Sequence, residues 1–203
     1  MFDVPLRSPY AEPSLMGMPH AAERWTADRV RALPDDGNRY ELISGQLVVA
    51  PAPRGLHQIA VRELAFLLDR WLSPTRRAAL LWSPADISLG DDEVLQPDLF
   101  VYPIDARRAV REWTDITTLL LVIEVTSPST ARHDRTLKRR RYQRAGIPEY
   151  WIVDLDARLI ERWRPADSRP ETLSEHLGWR LDAEGPELSI DLVALFAMIY
   201  GEG

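Results

Sequence analysis

The chain has 203 residues, of which 45% are hydrophobic and 28% charged, and its formal net charge is -6; that is room for one domain with a sizeable core. There are no cysteines, and the four histidines, His20, His57, His133 and His176, are scattered. Disulfides and thiolate metal centres are excluded and a histidine zinc site is disfavoured, so a metal site must be built mainly from oxygen ligands, which favours magnesium or manganese.

Residues 1–22 are rich in Pro and Met without periodicity, and read as a flexible arm. Their start, MFDVPLRSPYAEP, lacks the apolar stretch of a signal peptide. No apolar run in the chain is long enough to cross a bilayer, so the expectation is a cytoplasmic protein with no membrane partner. Residues 23–203 are expected to form a single domain, since no repeat and no linker interrupts them.

Thr26 caps a predicted short helix that ends at Leu33, before Pro34 and a polar turn. Tyr40–Ile43 and Gln46–Val49 flank Ser44-Gly45 and read as a hairpin. Pro53–Leu72 carries Leu56, Ile59, Ala60, Leu64, Leu67, Leu68 and Trp71 at helical spacing, which predicts an amphipathic helix stopped by Ser73-Pro74. Leu80–Leu89 and Val94–Tyr102 read as strands joined by the turn Gly90-Asp91-Asp92, followed by a polar connection over Pro103–Thr117. Thr118–Thr126, TLLLVIEVT, is nearly continuous apolar β sequence of the kind found in central strands. A helix is predicted over Ala131–Ala145, closed by Gly146 and Pro148. Strands follow at Tyr150–Val153 and Leu159–Arg164; residues 165–187 resist assignment, and Leu188–Tyr200 packs the C-terminus onto the core. Trp71, Trp82, Trp151 and Trp163 sit in apolar patterns and read as core.

Glu124 needs explaining, because apolar residues flank it on both sides and a bare carboxylate there is costly. Two readings stand: a salt bridge to a nearby Arg or Lys, or a metal. Asp98 follows Pro97 at the head of another predicted core strand, and taken alone reads as a turn acid. If the two strands are neighbours, the two carboxylates converge on one cation, leaving water and phosphate to complete a magnesium octahedron.

Relative to Leu137, Lys138 falls at about 100°, Tyr142 at about 140° and Ala145 at about 80° around the helix, which turns Lys138 inward. From there it would reach the level of Glu124 and steady developing phosphate charge. The competing reading is an ordinary helix contact with Asp134, four residues earlier. Over Arg132–Arg144 seven Lys and Arg accompany one acid, and Lys138-Arg139-Arg140-Arg141 reads equally as a grip on a nucleic-acid backbone or as a solvated helix face. Ser127, Ser129 and Thr130 read as helix-capping hydroxyls rather than nucleophiles.

Taken in order, YELISGQLV at 40–48, His57, QPDL at 96–99, IEVTSPST at 123–130, Asp134, Lys138, Tyr142, GIPEYW at 146–151 and Asp154 resemble the Uma2 family of restriction-endonuclease-like proteins, within the PD-(D/E)XK nuclease superfamily. The likeness spans roughly residues 24–196 and implies an α/β restriction-endonuclease-like fold, with a mixed central β-sheet flanked by helices. It implies metal binding by Asp98 and Glu124 with the backbone carbonyl of Val125, magnesium or manganese as cofactor, and hydrolysis of DNA phosphodiesters. In the superfamily pattern a lysine stands two residues after the acid. Here that position is Thr126, on the same strand face as Glu124, and the resemblance implies that Lys138 has taken the role. Glu41 is either a further ligand or water-positioning base, or a hairpin pairing residue. His57 is either a phosphate contact or an exposed helix residue. The expected activity is a metal-dependent endonuclease acting on DNA, and a homodimer follows if both strands of a duplex are cut. The rivals are an inactive module that binds nucleic acid or a protein, and a phosphoesterase of small molecules.

Overall fold

The structure is a computed structural model that describes residues 24–90, 93–105 and 110–202. The expected arm at 1–22 and part of the turn Gly90-Asp91-Asp92 lie outside the described residues.

Helix α1 (Ala27–Arg31) begins at Thr26, whose hydroxyl accepts the Arg29 N–H at 3.4 Å. Strands β1 (Arg39–Ile43) and β2 (Gln46–Ala50) pair antiparallel as the predicted hairpin. Ser44 and Gly45 both hold positive φ, 53° and 79°, the twist that a two-residue hairpin turn requires and that glycine adopts without steric cost. Helix α2 (Gly55–Leu72) buries Ala60, Leu64 and Leu68 of the expected stripe, half-buries Leu56, Ile59, Leu67 and Trp71, and adds Val61, Ala65 and Leu72 to the buried face.

Strands β3 (Ala78–Trp82), β4 (Leu99–Pro103), β5 (Leu121–Val125), β6 (Glu149–Asp154), β7 (Leu159–Trp163) and β8 (Glu171–Leu173) form one sheet in that order. The β5–β6 pair is parallel and the other pairs are antiparallel. The parallel pair needs a crossover, which the helical segment at 131–144 supplies. Strands β9 (His176–Trp179) and β10 (Leu188–Asp191) pair with each other and lead into helix α5 (Leu192–Tyr200), which rests on α2. β8 and β9 bring order to part of residues 165–187, the stretch that the sequence left unassigned.

Alternation along the strands divides the core. Leu99, Val101, Leu121, Ile123, Trp151 and Val153 face α2, α5 and the β9–β10 ribbon. Phe100, Val122, Tyr150 and Ile152 face the β1–β2 hairpin and Tyr142. Glu124 has the parity of Val122, so its carboxyl enters the second layer.

Three expectations are corrected. The predicted strand 80–89 stops at Trp82, because Ser83 turns its N–H to Asp98 O and Pro84 has none to give; only Ile87 rejoins, bridging Leu95. The strand predicted from Val94 starts at Leu99, as Val94 is drawn instead to Leu42 of the hairpin. Trp82 is 53% exposed on the edge strand, not in the core.

The helix at 131–144 is not uniform. Helix α3 (Ala131–His133) passes through a π segment (Asp134–Lys138) into helix α4 (Arg139–Arg144). The Tyr150 hydroxyl donates to the Asp134 carbonyl at 3.1 Å, and that carbonyl takes its helical N–H from Arg139, five residues on. A side-chain hydroxyl inserted into the ladder is a known cause of such a widened turn. Ala145 is exposed at the helix end, so the inward stripe is Asp134, Lys138 and Tyr142.

Leu64 is fully buried between α2 and the sheet, whereas Phe66 on the same helix is 66% exposed. Leu64→Ala is expected to lower the unfolding free energy by about 2–5 kcal/mol. Phe66→Ala should stay within about 0.5 kcal/mol. Urea unfolding of the two variants beside the parent checks the contrast.

Candidate active site

The C-terminal end of β5 and the entry to β4 lie side by side, and there the two core layers meet the hairpin. Asp98 stands just before β4. Its Oδ2 accepts the N–H of Val125 at 2.8 Å and lies 3.0 Å from His57 Nε2. Its Oδ1 accepts both terminal nitrogens of Arg39, each at 2.9 Å. Burial raises the Asp98 carboxyl, but the His57 hydrogen bond and the Arg39 charge outweigh it and hold it at about 2. A carboxylate can only accept, so His57 must carry its proton on Nε2. Its Nδ1 is buried without a hydrogen-bond partner among the described residues.

Glu124 Oε1 receives Lys138 Nζ at 3.0 Å and the Tyr142 hydroxyl at 3.0 Å. Lys138 also reaches Glu41 Oε2 at 2.8 Å and lies 3.8 Å from Asp134 Oδ1. Glu41 Oε1 in turn accepts the N–H of Gln96, two residues before Asp98. Burial lowers the Lys138 ammonium, but Glu124, Glu41, Asp134 and Asp98 together push it well above the usual lysine range. It is a fixed positive charge. Burial drives Glu124 well above the usual carboxylate range, Lys138 opposes this, and the neighbouring acids reinforce it. Burial likewise lifts Asp134 to about 6, against the pull of Lys138.

Asp98, Glu124, Val125, Lys138, Glu41 and His57 therefore all line one cavity of about 230 Å³, together with Arg39, Asp134 and the Ser127–Thr130 loop. Of the two readings of Glu124, the structure shows the salt bridge, and its partner is the lysine expected beside it. Glu41 pairs its backbone with Val48 in the hairpin while its side chain enters the site. His57 is buried rather than exposed.

Thr126 departs from the expected placement: its hydroxyl donates to the Val153 carbonyl at 3.3 Å and it is not among the cavity's lining residues. The Lys138–Arg141 run does not form one basic face. Lys138 is 3% exposed among the acids, Arg139 stacks on Trp163, Arg141 is bound to Glu93 and to the Leu89 carbonyl, and Arg140 is the exposed member.

Arg39 and Asp134 as site residues were not recognised in the sequence. Arg39 had a usable signal, because it stands two residues before Glu41 in β1 and so shares its face. Asp134 had a signal too, since it stands four residues before Lys138 and so shares its helix face.

Among the described residues, no three His, Asp or Glu side chains gather at metal-holding geometry. The donors available include the Asp98 and Glu124 carboxylates and the carbonyl of Val125, whose N–H touches Asp98. All are hard oxygens, of the kind magnesium and manganese take with several waters retained. The four acids, Glu41, Asp98, Glu124 and Asp134, face the half-buried Arg39 and the buried Lys138, with Arg54 at the exposed rim. By formal charge the wall is short of positive groups, and among the described residues Asp134 Oδ1 is buried without a hydrogen bond. A divalent ion suits that deficit.

The sequence model of the Uma2 family, described as "Putative restriction endonuclease", matches residues 27–192. The chain belongs to the Uma2 family. Comparison with curated proteins returned no match. Among solved structures, this Uma2 chain is similar to a "putative nuclease belonging to DUF820" from Anabaena variabilis ATCC 29413, with 20% identity and a TM-score of 0.72. The likeness covers 86% of this chain and 99% of that one. At that identity it speaks for the fold, a mixed sheet with flanking helices shared with a nuclease-family protein. No helix among the described residues of this Uma2 chain is long and apolar enough to cross a membrane.

Asp134 makes the site's pH behaviour testable. Its folded-state value, about 6, lies above the ordinary 3.8. The native state therefore binds more protons between those values, and stability falls as pH rises through the window. Without added metal, Asp134→Asn is expected to flatten the decline in melting temperature between about pH 4 and pH 7. An unchanged slope would exclude Asp134 as its source.

Proposed function

We propose that this Uma2 chain is a divalent-metal-dependent endonuclease that hydrolyses DNA phosphodiesters, with residues 23–203 acting as one catalytic domain. The observation that carries the reading is the meeting of Asp98 and Glu124, 26 positions apart in the chain, on one cavity wall with Lys138 between Glu124 and Glu41.

Asp98, Glu124 and the Val125 carbonyl would hold magnesium or manganese. When bound, such an ion would supply Lewis acidity, lowering the pKa of a water and offsetting charge on phosphate oxygens. The chain's own residues do the rest. Lys138 offers a permanent positive charge to the phosphoryl oxygens as they gain charge. Held by Glu41, Glu124 and Asp134, it needs no reorganisation at that moment. Glu41 keeps the ammonium aimed at the cavity and through Gln96 braces the strand entry that bears Asp98. Tyr142 fixes one oxygen of Glu124 and leaves the other without a hydrogen bond among the described residues. His57 orients Asp98 and stands beside the path of the phosphate. Cutting both strands of a duplex favours two copies of this site, hence a homodimer.

One observation favours a second reading. Asp98 is fully hydrogen-bonded, and Thr126 supplies no cation to the cavity. A module that keeps the fold to bind nucleic acid or a protein partner has the same features. It is expected to bind duplex DNA in a salt-sensitive way without turnover.

Supercoiled plasmid incubated with the protein and magnesium or manganese should be nicked and linearised. Asp98→Ala should reduce the rate by on the order of a hundredfold or more, since even groups that merely support metal ligands are worth about 10–100-fold. Equal cleavage by both proteins would reject the assignment. Salt-sensitive binding with no cleavage in manganese would favour the second reading.

A further inference from the structure

A second cavity, of about 250 Å³, runs from the same carboxylate in the other direction, past Asn38, Gln58 and Ser83. The two cavities share Arg39, Ala52, Pro53, His57 and Asp98. The Arg39–Asp98 pair therefore lines both cavities, and a strand lying across the trough they form would pass it.

That pair is built asymmetrically. A guanidinium and a carboxylate usually pair fork to fork, one nitrogen per oxygen. Here both terminal nitrogens of Arg39 go to Oδ1, with a further bond from one of them to the Gln96 carbonyl at 3.2 Å. The other oxygen, Oδ2, is tied to β5 through Val125 and to α2 through His57. Asp98 is therefore anchored by Oδ2, and Arg39 can leave Oδ1 without releasing the carboxylate from the sheet. The Arg39 side chain is 18% exposed, so it has an opening to solvent that Lys138, at 3%, does not.

The trough is also acid-rich. Asp35, Glu41, Asp98, Glu124 and Asp134 line it, against Arg39, Arg54 and Lys138. A phosphodiester entering it meets excess negative charge, and the cation at its middle is already taken by Asp98.

From this geometry we propose that Arg39 is an interlock between metal and nucleic acid: it is freed from Asp98 Oδ1 when a divalent cation takes that oxygen, and then binds a phosphate oxygen of the strand lying in the trough. The inference rests on the metal-dependent nuclease reading above and adds a residue and a binding order to it. Ion and nucleic acid then bind cooperatively, and by linkage each raises the other's affinity by the same factor.

A purely structural Arg39 predicts the opposite sign for one measurement. If it only steadied Asp98, its loss would loosen the carboxylate and weaken ion binding. As an interlock it competes with the ion, so its loss leaves ion binding equal or tighter while the gain in nucleic-acid affinity disappears.

The test uses the full chain and Arg39→Met, with calcium binding measured by calorimetry in the absence of DNA. Affinity for a short fluorescein-labelled duplex is then measured by anisotropy, in EDTA and in calcium, with the duplex checked for integrity on a gel. In the parent, calcium should raise duplex affinity about tenfold, and in Arg39→Met by about twofold or less. The salt dependence measured in calcium should fall by about one phosphate contact. Calcium affinity of Arg39→Met should be no lower than the parent's. Arg39→Lys keeps the charge but not the fork and should fall between the two; it carries the comparison should the methionine variant not fold. A full calcium-dependent gain in both variants, or weaker calcium binding by Arg39→Met, overturns the inference and leaves the nuclease reading standing. A parent protein that binds neither calcium nor duplex removes both.

Discussion

Four carboxyl groups crowd the end of β5, and the cations set against them are the half-buried Arg39 and the buried Lys138. A carboxylate taken from water without compensation costs several kcal/mol even after relaxation, on the order of the net stability of a domain. The elements around the site are arranged to supply that compensation. The hairpin delivers Arg39, α2 delivers His57, and the π segment delivers Lys138. The compensation is uneven. Asp98 has partners on both oxygens and is held strongly acidic, whereas Glu124 and Asp134 are pushed the other way by burial.

That unevenness separates the site from an ordinary buried salt-bridge network. In a stability-driven network each charge is matched and the residual field is small. Here acids outnumber cations by formal charge, and they face a cavity of about 230 Å³ with hard oxygen donors in its wall. Perturbed carboxyls in a cleft are a recurring mark of function. Family membership through residues 27–192 gives the mark a chemical meaning, because the family is described as restriction-endonuclease-like.

The fold explains why these residues meet. The antiparallel neighbours β4 and β5 bring Asp98 beside Val125, and the parallel step from β5 to β6 obliges the chain to cross over through a helical segment. That crossover starts where β5 ends, so a lysine on its inward face comes back over the strand it has just left. Tyr150, at the foot of β6, then locks the crossover by donating to Asp134 O.

Much of this was legible in the chain. The stripe of α2, the Ser-Gly hairpin and the apolar run around Glu124 are local patterns, set by the periods of helix and strand. An acid inside an apolar strand announces itself because its cost is local as well. The shortening of β3 and β4 was not legible, because competing partners decided it: Asp98 O draws Ser83, and Leu42 draws Val94. Periodicity carries no information about such competition. The π turn escaped for the same reason, since the hydroxyl that opens it belongs to Tyr150, sixteen residues away.

By itself the sequence determined which residues stand as candidates for the site, their order, and the family the chain belongs to; those follow from side-chain chemistry and short-range spacing. The tertiary structure alone decided which cation faces which acid. It assigned Arg39 to one oxygen of Asp98, gave Lys138 to Glu124 and Glu41, and turned Thr126 to Val153. Charge pairing depends on distances between elements remote in the chain, and those distances exist only once the sheet, hairpin and crossover have packed.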